Sequence, residues 1–78
     1  MRLEHDRDAD AIYVWLRDGV VQAFGEHLDD SRYVDFGDDR RPVGVELLNV
    51  SRGVDTDGLP EREAIGRLLA SHRVEVFA

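Results

Sequence analysis

The sequence predicts an α+β fold: an antiparallel β-meander sheet of four to six short strands with one C-terminal helix packed on one face. Three observations predict it. Short apolar runs with a period of two fill the chain as far as Val50, and Gly, Asp and Pro turn signals separate them. Beyond Pro60 the period changes to helical spacing. The whole chain has 78 residues, room for one domain at most. Residues 1–51 are expected to be the β core, and residues 52–78 a loop, a helix and a last short strand.

The elements follow in order. Arg2–His5 reads as a first short strand, and Asp6–Asp10 as an acidic turn in which Asp8 or Asp10 accepts backbone N–H bonds. Ala11–Arg17 is rich in β-branched and aromatic residues. Alternation puts Ile12, Val14 and Leu16 on one face and Ala11, Tyr13 and Trp15 on the other, so both faces of this strand are apolar. Asp18-Gly19 reads as a tight hairpin turn, with Val20–His27 as the returning arm. Asp29-Asp30-Ser31 marks a turn, and Arg32–Phe36 a short strand with Val34 and Phe36 on one face. Gly37–Pro42 is a polar hairpin loop. Val43–Val50 returns with Val43, Val45 and Leu47 on one face and Gly44 and Glu46 on the other. Gly53–Gly58 reads as a loop, with Thr56 or Asp57 capping the helical region. Pro60 suits a first helical turn, and Glu61 and Glu63 suit the positive end of a helix dipole. Ala64, Ile65, Leu68, Leu69 and His72 then recur at helical spacing, giving a helix from Pro60 to Ser71 with His72 beside its last carbonyls. Arg73–Phe77 alternates Val74 and Val76 in a last strand.

A chain this short buries only about 60–65% of its unfolded surface, so its core is thin. Small folds are commonly supported by disulfides, a metal or oligomerisation. With no cysteine, disulfides and thiolate metal sites are excluded. One helix shields only one sheet face, and the sequence leaves open whether that is the Ile12 or the Tyr13 face; an exposed patch containing Tyr13 and Trp15 would be an association site. A homo-oligomer, in the first instance a dimer, is therefore expected; the plainer reading is that Tyr13 and Trp15 pack under loops and the N-terminal strand.

The net charge is −7, from 17 acids and 10 bases, all of them arginine. An abundance of Arg, Asp, Gly and Val fits the coding bias of a GC-rich bacterial genome. Residues 1–39 hold 11 acids against 4 arginines, whereas residues 40–78 hold 6 of each. An acidic half repels phosphate backbones, so direct binding of nucleic acid is not expected. It favours a small basic protein partner and speeds encounter with one. The same charge also serves plain solubility. No apolar run approaches the roughly 18 residues of a membrane helix, and the N-terminus has no apolar signal core. A cytoplasmic protein with no membrane association is expected.

No catalytic, cofactor or metal constellation is recognised. Asp6, Asp8 and Asp10 alternate as in a calcium loop, but Ala11 stands at that loop's glycine position and Arg17 at its glutamate position. Asp55-Thr56-Asp57-Gly58 offers too few ligands. His5, His27 and His72 form no short ligand pair, although they could converge in space. Ser31, Ser51 and Ser71 lie outside any nucleophile-elbow pattern, and there is no glycine-rich phosphate loop. The loop Asp38, Asp39, Arg40 and Arg41 is the most conspicuous charged surface feature, with its charges expected to pair among themselves.

The segment His5-Asp6-Arg7-Asp8-Ala9-Asp10-Ala11-Ile12-Tyr13-Val14 resembles the opening pattern of the domain-of-unknown-function 2283 family. Val34-Asp35-Phe36 with Pro42–Ser51 is similar to that family's second hairpin, so the resemblance covers residues 3–51. The remainder resembles a helical extension carried by some members. His5 stands where an aromatic residue is common, and Asn49 where Asp is common. The resemblance implies no established activity; some members lie beside small toxin-like proteins, which implies an antitoxin-like role.

The expectation is a non-enzymatic, acidic protein-interaction module that neutralises a small basic partner. Its interaction surface would draw on Tyr13, Trp15, Asp8, Asp10, Asp38, Asp39, Arg40 and Arg41. The alternative is a small ligand-binding protein or enzyme with a site at a homo-oligomer interface, using Asp8, Asp10, Asp35, Glu46 and His72.

Overall fold

The computed structural model of the chain describes residues 1–77. Five strands form one antiparallel sheet: β1 (Arg2–Asp6), β2 (Ala11–Trp15), β3 (Phe24–Asp29), β4 (Arg32–Phe36) and β5 (Pro42–Leu48). A 3-10 turn at Val50–Arg52 leads to β6 (Val54–Asp55), then α1 (Arg62–Ser71) and β7 (Val76–Phe77). The α+β class, the antiparallel sheet and the C-terminal helix are as the sequence predicts.

The strand order is β1-β2-β5-β4-β3. The chain makes a β1–β2 hairpin, then a β3-β4-β5 meander whose last strand returns to pair with β2. The hairpin expected at Asp18-Gly19 does not form. Residues 16–23 carry no strand and lead to the far edge of the sheet, where Phe24–Asp29 pairs with β4. Arg17 explains the diversion. Its guanidinium donates to the Pro42 carbonyl at 2.9 Å, to the Arg41 carbonyl at 2.8 Å and to both Asp39 carboxylate oxygens at 2.8 and 3.0 Å. These bonds hold the segment along the β4–β5 loop, so Gly19, at φ +74°, bends a connection and closes no hairpin.

Alternation sets the two faces of the sheet. Ile12 and Val14 on β2, Val34 on β4, and Val45 and Leu47 on β5 are all buried, and form one cluster with Val50, Val54, Leu59, Ile65, Leu69 and Val74. Thus Ile12, not Tyr13, faces the helix. α1 contributes Ile65 and Leu69, one turn apart, both fully buried.

The tail differs from expectation in four places, the first being the last strand, which is Val76–Phe77 and not Arg73–Phe77 because Arg73 and Val74 belong to the turn that ends the helix. Gly53–Gly58 is not all loop, because Val54 and Asp55 pair in parallel with Val76 and Phe77. The helix begins at Arg62, because Glu61 takes a left-handed φ of +51° that breaks helical continuity with Pro60. No side chain caps its N-terminus: Thr56 is buried, and Asp57 bonds instead to Arg62 and to its own turn. The C-terminus is a Schellman motif. The Arg73 N–H reaches the Ala70 carbonyl and the Val74 N–H the Leu69 carbonyl, both at 3.0 Å, with Val74 buried beside Leu69 in the core. Arg73, at φ +62°, occupies the position that glycine usually fills.

Candidate functional site

The other sheet face has no helix over it among the described residues. Cross-strand register builds it in rows. One row reads Glu4, Tyr13, Glu46, Tyr33, His27 across β1, β2, β5, β4 and β3; the next reads Arg2, Trp15, Gly44, Asp35, Gly25. The two tyrosines of the first row lean over the two glycines of the second. A side chain at Gly44 would collide with the Tyr13 ring, and one at Gly25 with the Tyr33 ring. Both glycines are thus required by close approach, and each aromatic ring shelters bare backbone.

The lean of Tyr13 places its hydroxyl on Asp35, donating to Oδ2 at 2.6 Å. Asp35 is buried, at 7% exposure, so this bond carries much of its polar satisfaction. Burial, then the Asp35 carboxylate as hydrogen-bond partner and as a charge, then Glu46, push the Tyr13 phenol well above its ordinary value of 10. Trp15 packs edge-on against Tyr13 with ring centroids 4.6 Å apart, and the Arg2 guanidinium lies 4.0 Å over the indole. His27 packs edge-on against Tyr33 at 4.6 Å. Val20 and Gln22 from the diverted segment join Tyr13, Trp15 and Asp35 in a shallow, open depression. Tyr13 and Trp15 are half-buried, sheltered in part by the loop and by β1.

The face is acidic. Glu4, Asp6, Asp35 and Glu46 occupy it against Arg2 alone, and Glu46 is exposed at its centre. The arrangement offers aromatic area and carboxylate acceptors. Among the described residues no group of three or more His, Cys, Asp and Glu side chains could hold a metal ion.

The other candidate residues stand apart from Tyr13 and Trp15. Asp8 is exposed in the β1–β2 turn. Asp10, at φ +54° in the same turn, accepts from the Ser51 N–H at 2.9 Å and from the Ser51 hydroxyl at 2.7 Å, which ties the turn to the 3-10 segment. The Ala9 N–H is taken by Asp6. Asp38, Asp39, Arg40 and Arg41 lie at the opposite end of the sheet. Asp39 pairs with Arg17, and its link to Arg41 is to that residue's backbone N–H, at 3.0 Å; among the described residues the Arg40 and Arg41 side chains form no ion pair. The expected pairing within the loop is thereby corrected: Arg17 reaches Asp39 with a bidentate fork and withdraws it. The Arg17 guanidinium, then the Arg41 N–H, hold the Asp39 carboxyl down at about 2. Asp35 and Glu46 share the open face, while Asp10 and His72 line a different depression. Sequence reasoning missed Arg17, Glu4 and Tyr33. The only signal was the two strand glycines, each standing diagonally from a tyrosine once the register is known.

A family model described as a protein of unknown function (DUF2283) matches residues 2–51. The match takes in all five strands of the main sheet and ends before β6 and α1. No curated protein and no solved structure matches the chain.

Proposed function

The chain belongs to the DUF2283 family, and from that premise we propose that it is a non-enzymatic interaction module whose open sheet face receives a basic surface of another protein. One observation carries the reading: the helix covers only the Ile12 face, leaving half-buried Tyr13 and Trp15 among Glu4, Asp6, Asp35 and Glu46. Aromatic rings supply rigid contact area at little entropic cost, and the carboxylates supply acceptors for arginine and lysine. An antitoxin that neutralises a small basic toxin is one concrete form. The test is a pull-down from the source organism's lysate at low and high salt, with the Glu4→Gln/Glu46→Gln chain alongside. Capture of one basic protein, weakened by salt and by the charge removal, is the expected result. Capture that ignores both removes the acidic face from consideration.

Self-association is a second reading with its own observation. β3 is an edge strand whose Phe24 and Leu28 are exposed, with Phe24 stacked on Phe36 at 5.1 Å. Leu28, Phe36, Leu59 and Pro60 border an apolar groove beside it. An unpaired edge with apolar side chains is a template for a second copy. These features favour β3 over the acidic face as the contact of a homodimer, since like charges would meet on the acidic face. Sedimentation velocity should show a dimer that Phe24→Glu dissociates; a wild-type monomer at high concentration removes this reading.

A further inference from the structure

Two histidines and two arginines, distant in sequence, meet in one concavity of about 500 Å³. His5 comes from β1, Arg7 from the β1–β2 turn, and His72 and Arg73 from the end of α1. On a chain of net charge −7, a convergence of basic side chains is not what composition would produce. Two carboxylates, Asp10 and Glu75, line the same concavity. Both Asp10 oxygens accept from Ser51, whereas Glu75 is exposed and forms no ion pair among the described residues. Among the described residues the ion-paired arginines are Arg2, Arg17, Arg32 and Arg62; Arg7 and Arg73 are not among them.

Arg73 adds a second kind of observation. It sits at the left-handed position of the Schellman motif, where glycine is the least strained residue. The chain thus carries a guanidinium into the concavity at a conformational cost to its own helix end. An observed backbone outlier of this kind points toward a function.

We propose that this concavity is a binding site for a small phosphate-bearing anion. Two guanidinium forks match phosphate oxygens, and each imidazole adds an N–H donor. The space exceeds that of phosphate alone, so both the free ion and a phosphate ester are possible sources of the same chemistry.

The experiment is a titration of the full chain followed by amide chemical shifts at fixed ionic strength. The probes are inorganic phosphate and ribose 5-phosphate, with chloride and citrate as comparators. Saturable shifts confined to residues 5–10, 50–52 and 71–75 are expected, with chloride inert and citrate weaker. Tighter binding of the ester assigns the source as an ester, and equal affinities assign the phosphate ion. Arg7→Ala, at an exposed turn position, should weaken binding at least tenfold while the spectrum stays dispersed. Arg73→Gly should also weaken it at least tenfold, yet raise the Tm, an opposition that a purely structural role for Arg73 would not produce. Shifts that never saturate, an equal response to chloride or citrate, or unchanged affinity in either variant overturn the proposal.

Discussion

Tyr13 joins three features of the open face: it shelters Gly44, satisfies Asp35 and packs on Trp15. Tyr13→Phe keeps the ring and removes the hydroxyl, leaving the buried Asp35 without that donor. A loss of about 1–3 kcal/mol is expected, read by urea unfolding. Gly44→Ala should cost at least as much, because the ring must move and the Asp35 bond goes with it. The fold holds the phenol neutral, so the stability this gives is complete below the unfolded phenol's pKa of about 10 and disappears as pH rises above it through the raised folded value. Absorbance of the phenolate against pH should show Tyr13 ionising only at pH values well above those of a free phenol. Tyr13→Phe should abolish that late transition. Asp39 works in the opposite direction. Its carboxyl is depressed from 3.8 to about 2 by Arg17, so its contribution is present above the unfolded value and is lost as pH falls through that window. Acid unfolding of Asp39→Asn should show a shallower pH dependence between those limits.

Among the elements, α1 holds the core with few residues. Ile65 and Leu69 are fully buried against the Ile12 face, so Leu69→Ala should cost about 2–5 kcal/mol. The β1–β2 turn depends on a different device. Asp10 ties it to Ser51, 41 residues away, through two bonds and in a left-handed backbone. Asp10→Ala should lower the Tm more than Asp10→Asn, because Asn tolerates that backbone and keeps an acceptor. Equal losses would show that neither a retained acceptor nor tolerance of the left-handed backbone matters at this position.

For the whole molecule, about 0.05–0.15 kcal/mol per residue leaves a chain of 78 residues only about 4–12 kcal/mol of stability. Leu69→Ala alone could consume much of that, so circular dichroism should show Leu69→Ala partly unfolded at 37 °C. Net charge acts at this scale too. Association with a basic partner through the acidic face should slow markedly as salt rises, whereas a β3 dimer built on Phe24 and Leu28 should hold or tighten. Among the described residues no helix is long and apolar enough to cross a membrane.

Local patterning alone determined the class, the strand positions of β1, β2, β4 and β5, the shared faces of Ile12 with Val14 and of Val45 with Leu47, and the presence of a C-terminal helix. These are consequences of side-chain periodicity, which each segment carries in itself. It also grouped Tyr13 with Trp15 on the face opposite Ile12 and Val14, while which of the two faces the helix covers was decided by the tertiary structure. Tertiary structure decided the rest. Asp18-Gly19 has hairpin chemistry, yet the four hydrogen bonds of Arg17 to the β4–β5 loop direct the chain to the far edge. The Val54–Val76 pairing joins segments separated by the helix, so the alternation of Val74 and Val76 names no partner strand. The Tyr13–Asp35 bond requires β2 and β4 to flank β5, and the meeting of His5, Arg7, His72 and Arg73 requires the helix end to reach the first turn. Each depends on strand order and on how the helix lies on the sheet, which are set by packing among distant segments and not by any one of them.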